Sequence, residues 1–153
     1  MISLIAICIV GITALATYFL SNGFGVALFA GFSITTLAFS GSPLIGSLVD
    51  NFGSVETQEY AVIGLFLLFS FVIAYLLREY MTSRRTRSFI SRIILAVVTG
   101  IVIGGLAIIL LRNVLGVTQV LSIPNSLSSI TGGDYAVLYW LVASLLTSYF
   151  GAR

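Results

Sequence analysis

Residues 1–49, MISLIAICIVGITALATYFLSNGFGVALFAGFSITTLAFSGSPLIGSLV, carry no charged side chain, and Asp50 is the first charged residue. As one straight helix this stretch would extend about 74 Å, whereas the hydrocarbon core of a bilayer is roughly 30 Å thick. A soluble domain of 153 residues could not bury so long an apolar run. We therefore expect the chain to lie in a membrane, with enough length here for two crossings.

The composition is typical of a polytopic membrane protein. Hydrophobic residues make up 59% of the chain and charged residues only 8%, which leaves too little polar sequence for a second, soluble domain. We predict one integral membrane domain, residues 1–153, with an all-α fold: a polytopic transmembrane helical bundle of four to five spans. The expected spans are residues 2–20, 24–40, 60–77, 93–111 and 135–151.

Two of these spans allow more than one interpretation. The first could be a signal peptide, but no basic residue precedes its apolar run, so we expect a retained transmembrane helix. The second, residues 24–40, is short and rich in Gly, Ser and Thr. It fits either a full crossing buried inside the bundle or a re-entrant helix. We favour the crossing.

The basic residues indicate an orientation. All seven are arginines, and five of them lie between two predicted spans: Arg78, Arg84, Arg85, Arg87 and Arg92. Positive loops remain on the cytoplasmic side, so we expect residues 78–92 in the cytoplasm of a prokaryotic cell, near anionic headgroups of the inner membrane. The arginines could instead only set topology or contact a cytoplasmic protein. A nucleic-acid partner is not expected, because the cluster is confined between two membrane spans.

The predicted spans offer no reactive chemistry. None of them contains Asp, Glu, Lys, Arg or His, the chain has no histidine, and Cys8 is its one cysteine. Ionisable groups inside a membrane usually mark proton relays and ion paths. We therefore predict no catalytic, cofactor-binding or metal-binding residue and no enzymatic activity.

Small residues predict where helices approach closely. The fourth span carries Gly100, Gly104 and Gly105, and the second carries Gly25, Gly31 and a face of small residues. That face consists of Gly23, Ala27, Ala30, Gly31 and Thr35. Glycines at four-residue spacing allow two helix backbones to come together in lipid. We expect these two faces to pair within the bundle, although a homo-oligomer seam or the helix of another membrane protein would use the same pattern.

The order of features resembles the colicin V production protein (CvpA) family of small bacterial inner-membrane proteins. The shared outline is a glycine turn, NGFG at residues 22–25; a Pro-Leu element, PLI at residues 43–45; a basic loop; the fourth-span glycines; and a serine-bearing segment at residues 124–130. The first turn lacks the basic residues usual in that family, and residues 135–151 are an additional apolar segment. The resemblance implies a non-enzymatic membrane protein in export or envelope maintenance, with no catalytic residues.

Three functions fit these features. We favour a structural or scaffolding protein, or an accessory subunit, that acts through helix–helix packing. A small subunit of a large respiratory or secretion complex fits the composition equally well. The third is a pore-forming, holin-like or passive channel oligomer, which needs a continuous polar face on each subunit. The sequence offers one short candidate for that face: Ser33, Thr35, Thr36 and Ser40.

Overall fold

The computed structural model describes residues 4–20, 22–41, 47, 49–80, 89–121 and 135–152. Five α-helices account for most of them: α1 (Leu4–Leu20), α2 (Asn22–Gly41), α3 (Val55–Leu77), α4 (Phe89–Asn113) and α5 (Ala136–Ala152), with a 3-10 turn at Arg78–Tyr80 after α3. No β-strand occurs within this described part of the chain. The predicted all-α helical bundle is confirmed.

Three helices are long and apolar enough to cross a membrane. Their apolar segments are Gly23–Ser40, Val55–Tyr80 and Ile90–Asn113. The two remaining helices, α1 and α5, are also apolar but have 17 residues each, a length of about 25 Å. The chain is thus a multi-pass membrane protein. In particular α2 is one unbroken helix of 20 residues, about 30 Å long, which is the length that a crossing needs.

Two helices extend beyond the predicted spans and include charged residues. Instead of starting at residue 60, α3 begins at Val55, because Ser54 in extended conformation caps it and accepts a hydrogen bond from the Thr57 amide at 3.3 Å. This start places Glu59 inside the helix. At its two ends α4 likewise includes Arg92 and Arg112.

The helices pack around α2, which contacts all four others, and α4, which contacts α1, α2 and α5. Between α2 and α3 the core is aromatic: Phe32 and Phe66 stack at 5.5 Å between ring centroids, and Phe39 meets Phe66 edge-on. Of the apolar segment of α3 only 22% is buried, against 56% for each of the other two long segments. Therefore α3 lies at the edge of the bundle, while α2 and α4 form its centre.

Candidate functional site

The glycines of α4 lie against α1. A Cβ atom added to Gly100 would come within 2.9 Å of the Ala14 Cα atom, and one added to Gly104 would come within 2.9 Å of the Val10 Cα atom. The two helix backbones are therefore as close as glycine alone permits at these positions. As the residue number rises along α4 it falls along α1, so the two helices run antiparallel.

The other predicted packing glycines meet three different helices. A Cβ atom on Gly105 would overlap the Trp140 ring of α5. On Gly25 it would lie 2.8 Å from the Thr99 methyl group of α4, and on Gly31 it would lie 2.5 Å from the Ser70 carbonyl oxygen of α3. Gly25 of α2 therefore packs on α4, whereas Gly31, which we expected to face the α4 glycines, packs on α3. Glycine spacing indicates a close approach of two backbones without naming the partner.

Two hydroxyl groups connect neighbouring helices to α4. The Thr13 hydroxyl of α1 lies 3.2 Å from the Gly100 carbonyl oxygen and is also within bonding distance of two carbonyl oxygens of its own helix. The Ser144 hydroxyl of α5 donates to the Val102 carbonyl oxygen at 3.5 Å. Both side chains are buried. They supply the polar contacts on which helix association in lipid depends in part.

Two of the five loop arginines are described, and each rests on an aromatic ring. The Arg78 guanidinium lies 4.0 Å from the centre of the Tyr75 ring, and that of Arg92 lies 5.6 Å from the centre of the Tyr18 ring. Arg92 also donates to the Tyr18 carbonyl oxygen at 3.4 Å, near the carboxyl end of α1, where a positive charge is favourable. The other three, Arg84, Arg85 and Arg87, lie outside the described residues, as do the PLI element and residues 124–130.

The most elaborate polar contact in the described residues belongs to Glu59, which lies one residue before the predicted third span. Its side chain is 7% exposed. One carboxylate oxygen accepts hydrogen bonds from the amides of Thr118 and Gln119, both at 3.0 Å, and the other accepts one from Val120 at 2.7 Å. A buried carboxylate is tolerated when such charge-assisted bonds replace water.

The segment that Glu59 binds, residues 114–121, is not helical; we call it the strap. It begins where α4 ends, and Gly116 adopts φ 72°, a left-handed conformation that favours glycine and turns the chain back. Val117, Val120 and Leu121 of the strap are buried in the hydrophobic core. Non-helical backbone close to lipid needs internal partners for its amides, and Glu59 supplies three of them.

A cleft of about 310 Å³ adjoins the strap. Its walls come from the end of α2, the residues that precede α3, the first part of α3, and the strap: Phe39, Ser40, Val49, Asp50, Val62, Val114 and Leu115. Val62 lies one helical turn after Glu59. The cleft and the Glu59 contact therefore share the same end of the bundle, opposite to Arg78 and Arg92.

Two signals in the sequence could have located the Glu59 site. Ser54 is a residue type that favours the N-cap position, which moves the beginning of α3 ahead of Glu59. Gly116 just after an apolar helix marks its end. Neither signal shows that the strap returns to α3, because that contact joins residues about sixty positions apart in sequence.

The comparisons with known proteins add no relative. No protein family model, curated protein or solved structure matches this chain.

Proposed function

We propose that this chain is a non-enzymatic structural membrane protein, a scaffold or accessory subunit that acts through helix–helix packing. The observation that carries the proposal is the use of three of its buried polar side chains. Thr13 and Ser144 each reach a carbonyl oxygen of α4, and Glu59 holds the strap. In each case a polar side chain connects one part of the bundle to another, which suits a rigid helical platform.

The outer surface of the bundle supports the same function. The outward side chains of α3 are large and apolar: Leu68, Phe69, Val72 and Leu76 are each about half exposed or more. In a membrane such a surface contacts either lipid or the helices of neighbouring proteins. A scaffold uses a surface of this kind to hold its neighbours in place.

The pore alternative finds little support in the one candidate polar face. Ser33, Thr36 and Ser40 direct their hydroxyl groups to carbonyl oxygens of α2 itself, at 2.9, 2.7 and 3.2 Å. Thr35 and Thr36 are buried within the bundle. A pore between subunits would need these groups to face outward as one wet stripe.

We further propose that the arginine end of the bundle faces the cytoplasm and binds anionic headgroups. Arg78 and Arg92 are positioned by tyrosine rings, and their planar guanidinium groups match the geometry of a lipid phosphate. The proposal that this platform serves export or envelope maintenance rests on the CvpA resemblance alone.

Photo-crosslinking within the native membrane tests the scaffold. Val72 on α3 and Ile101 on α4 are each 51% exposed. A benzoylphenylalanine at one or the other position therefore tests two different helices with equally exposed probes. We expect a covalent adduct with a polypeptide, either a second copy or another protein, at one of them. Lipid adducts alone at both positions would contradict the proposal.

Two further measurements address the alternatives. We expect the purified protein in planar bilayers to give no unitary conductance; ohmic single-channel steps would favour the pore. For the arginine end, we expect the double variant Arg78→Gln, Arg92→Gln to copurify with less anionic lipid, measured by lipid mass spectrometry. The variant with lysine at both positions is the charge-matched control and should retain most of that lipid.

A further inference from the structure

We propose that the far part of the strap, residues 118–121, is a separately opening element that Glu59 holds closed, so that loss of the Glu59 carboxylate frees these residues while the helical bundle stays folded. The proposal concerns a conformational device within the fold and does not depend on the scaffold function. It rests on the way in which the strap is attached.

Three consecutive amides of the strap share one acceptor side chain. Close to α4 the strap is anchored by the Val117 amide, which donates to the Leu111 carbonyl oxygen at 3.0 Å. Beyond that point the next three consecutive amides, of residues 118–120, all donate to Glu59. Because three bonds share one acceptor group, removing that group releases all three amides together.

The strap also has the character of an element that can open locally. It is non-helical, and Thr118 and Gln119 at its middle are exposed. Segments outside helices whose backbone is partly exposed open at lower free energy than the helices around them. The buried side chains of Val117 and Val120 oppose opening, so the carboxylate and the apolar contacts hold the strap jointly.

Release is confined to the far part of the strap. The amides of Val114 and Leu115, which line the cleft, donate to the Leu110 carbonyl oxygen of α4 at 3.0 and 3.1 Å. These bonds do not involve Glu59, so the near part of the strap and the cleft stay in place when the carboxylate is lost. Opening therefore starts after Val117.

The test compares Glu59→Gln with Glu56→Gln in the full-length protein. Both variants remove one negative charge from the first two turns of α3, but Glu56 is exposed. Glutamine in place of Glu59 retains the size of the side chain, but it removes the charge and replaces one of the two acceptor oxygens with an NH₂ group that cannot accept a hydrogen bond. We expect hydrogen exchange at the amides of residues 118–120 to accelerate at least roughly tenfold in Glu59→Gln only, since bonds to a charged acceptor are the strongest of their kind.

Two additional readouts show whether the strap opens as a unit. Glu59→Asp retains the charge on a shorter arm and should fall between the parent and Glu59→Gln in exchange rate. In a Cys8→Ala background, Val120→Cys should react faster with a thiol reagent when Glu59→Gln is added, because Val120 is buried while the strap is closed. Unchanged exchange at residues 118–120 in Glu59→Gln would overturn the proposal, and so would equal acceleration across α2 and α4, because the strap would then not open separately from the bundle.

Discussion

The close contact between α1 and α4 at Gly100 provides a direct test of the helix packing. In Gly100→Ala the new Cβ atom would lie 2.9 Å from the Ala14 Cα atom and 3.0 Å from its backbone nitrogen, and closer still to its methyl group. Backbone atoms cannot rotate away as a flexible side chain can. The α1 helix must therefore shift, and the Thr13 bond to the Gly100 carbonyl oxygen must stretch with it.

The size of the effect follows from two opposing contributions. Overpacking a tight contact costs up to about 3 kcal/mol, and alanine in place of a helical glycine returns about 1 kcal/mol. The expected net loss in the free energy of unfolding is about 2 kcal/mol. Gly64→Ala is the matched control, because Gly64 lies inside α3 with no atom within 4 Å of the added Cβ. It should gain up to about 1 kcal/mol.

The assay is the free energy of unfolding in bicelles, measured by steric trapping on both variants. We expect the two to differ by about 3 kcal/mol, with Gly100→Ala the less stable. Adding Ala14→Gly removes the closest of the three contacts and should restore part of the loss. If Gly100→Ala proves as stable as Gly64→Ala, the α1 and α4 backbones are not in close contact at Gly100.

Three further substitutions are measured in the same way. Gly31→Ala should cost about 2 kcal/mol, because its Cβ atom would meet the Ser70 carbonyl oxygen; an unchanged value would place α2 farther from α3. Phe66→Ala should cost about 3 kcal/mol by removing a fully buried ring, whereas Phe69→Ala, half exposed, should cost clearly less; equal costs would contradict the stacked core. Thr13→Val should cost about 0.6 kcal/mol, the typical strength of a hydrogen bond between membrane helices, and a loss above about 2 kcal/mol would show that more than one bond depends on it.

The sequence was sufficient to predict the helical bundle, for a physical reason. Lipid supplies no partner for backbone N–H and C=O groups, so apolar runs long enough to cross must satisfy those groups internally, as helices do. Hydropathy, however, predicts only the part of a helix that lies in the bilayer, and a helix can extend beyond the bilayer into polar residues. That is why α3 begins at Val55 and not at residue 60, and α4 at Phe89 and not at residue 93.

The sequence predicts that helices come into close contact, but it does not predict which helices do so. The spacing of Gly100 and Gly104 indicates a close approach of two backbones, but it contains no information about which helix approaches, and the structure places α1 there. The role of Glu59 was hidden for a related reason. Its acidic neighbours Asp50 and Glu56 are exposed, and composition alone does not distinguish a carboxylate in water from one that receives three amides.

Helix α4, whose Gly100 and Gly104 pack against α1, is synthesised long after α1. The Thr13 hydroxyl and the Gly100 carbonyl oxygen are 87 residues apart, so at translation rates of 5–20 residues per second the first helix waits roughly 4–17 s in the membrane before its counterpart emerges. During that interval Thr13 and Thr17 can bond to carbonyl oxygens one turn earlier in their own helix, at 3.0 and 2.8 Å. The first helix can thus remain in lipid with these two hydroxyl groups bonded until the ribosome delivers α4.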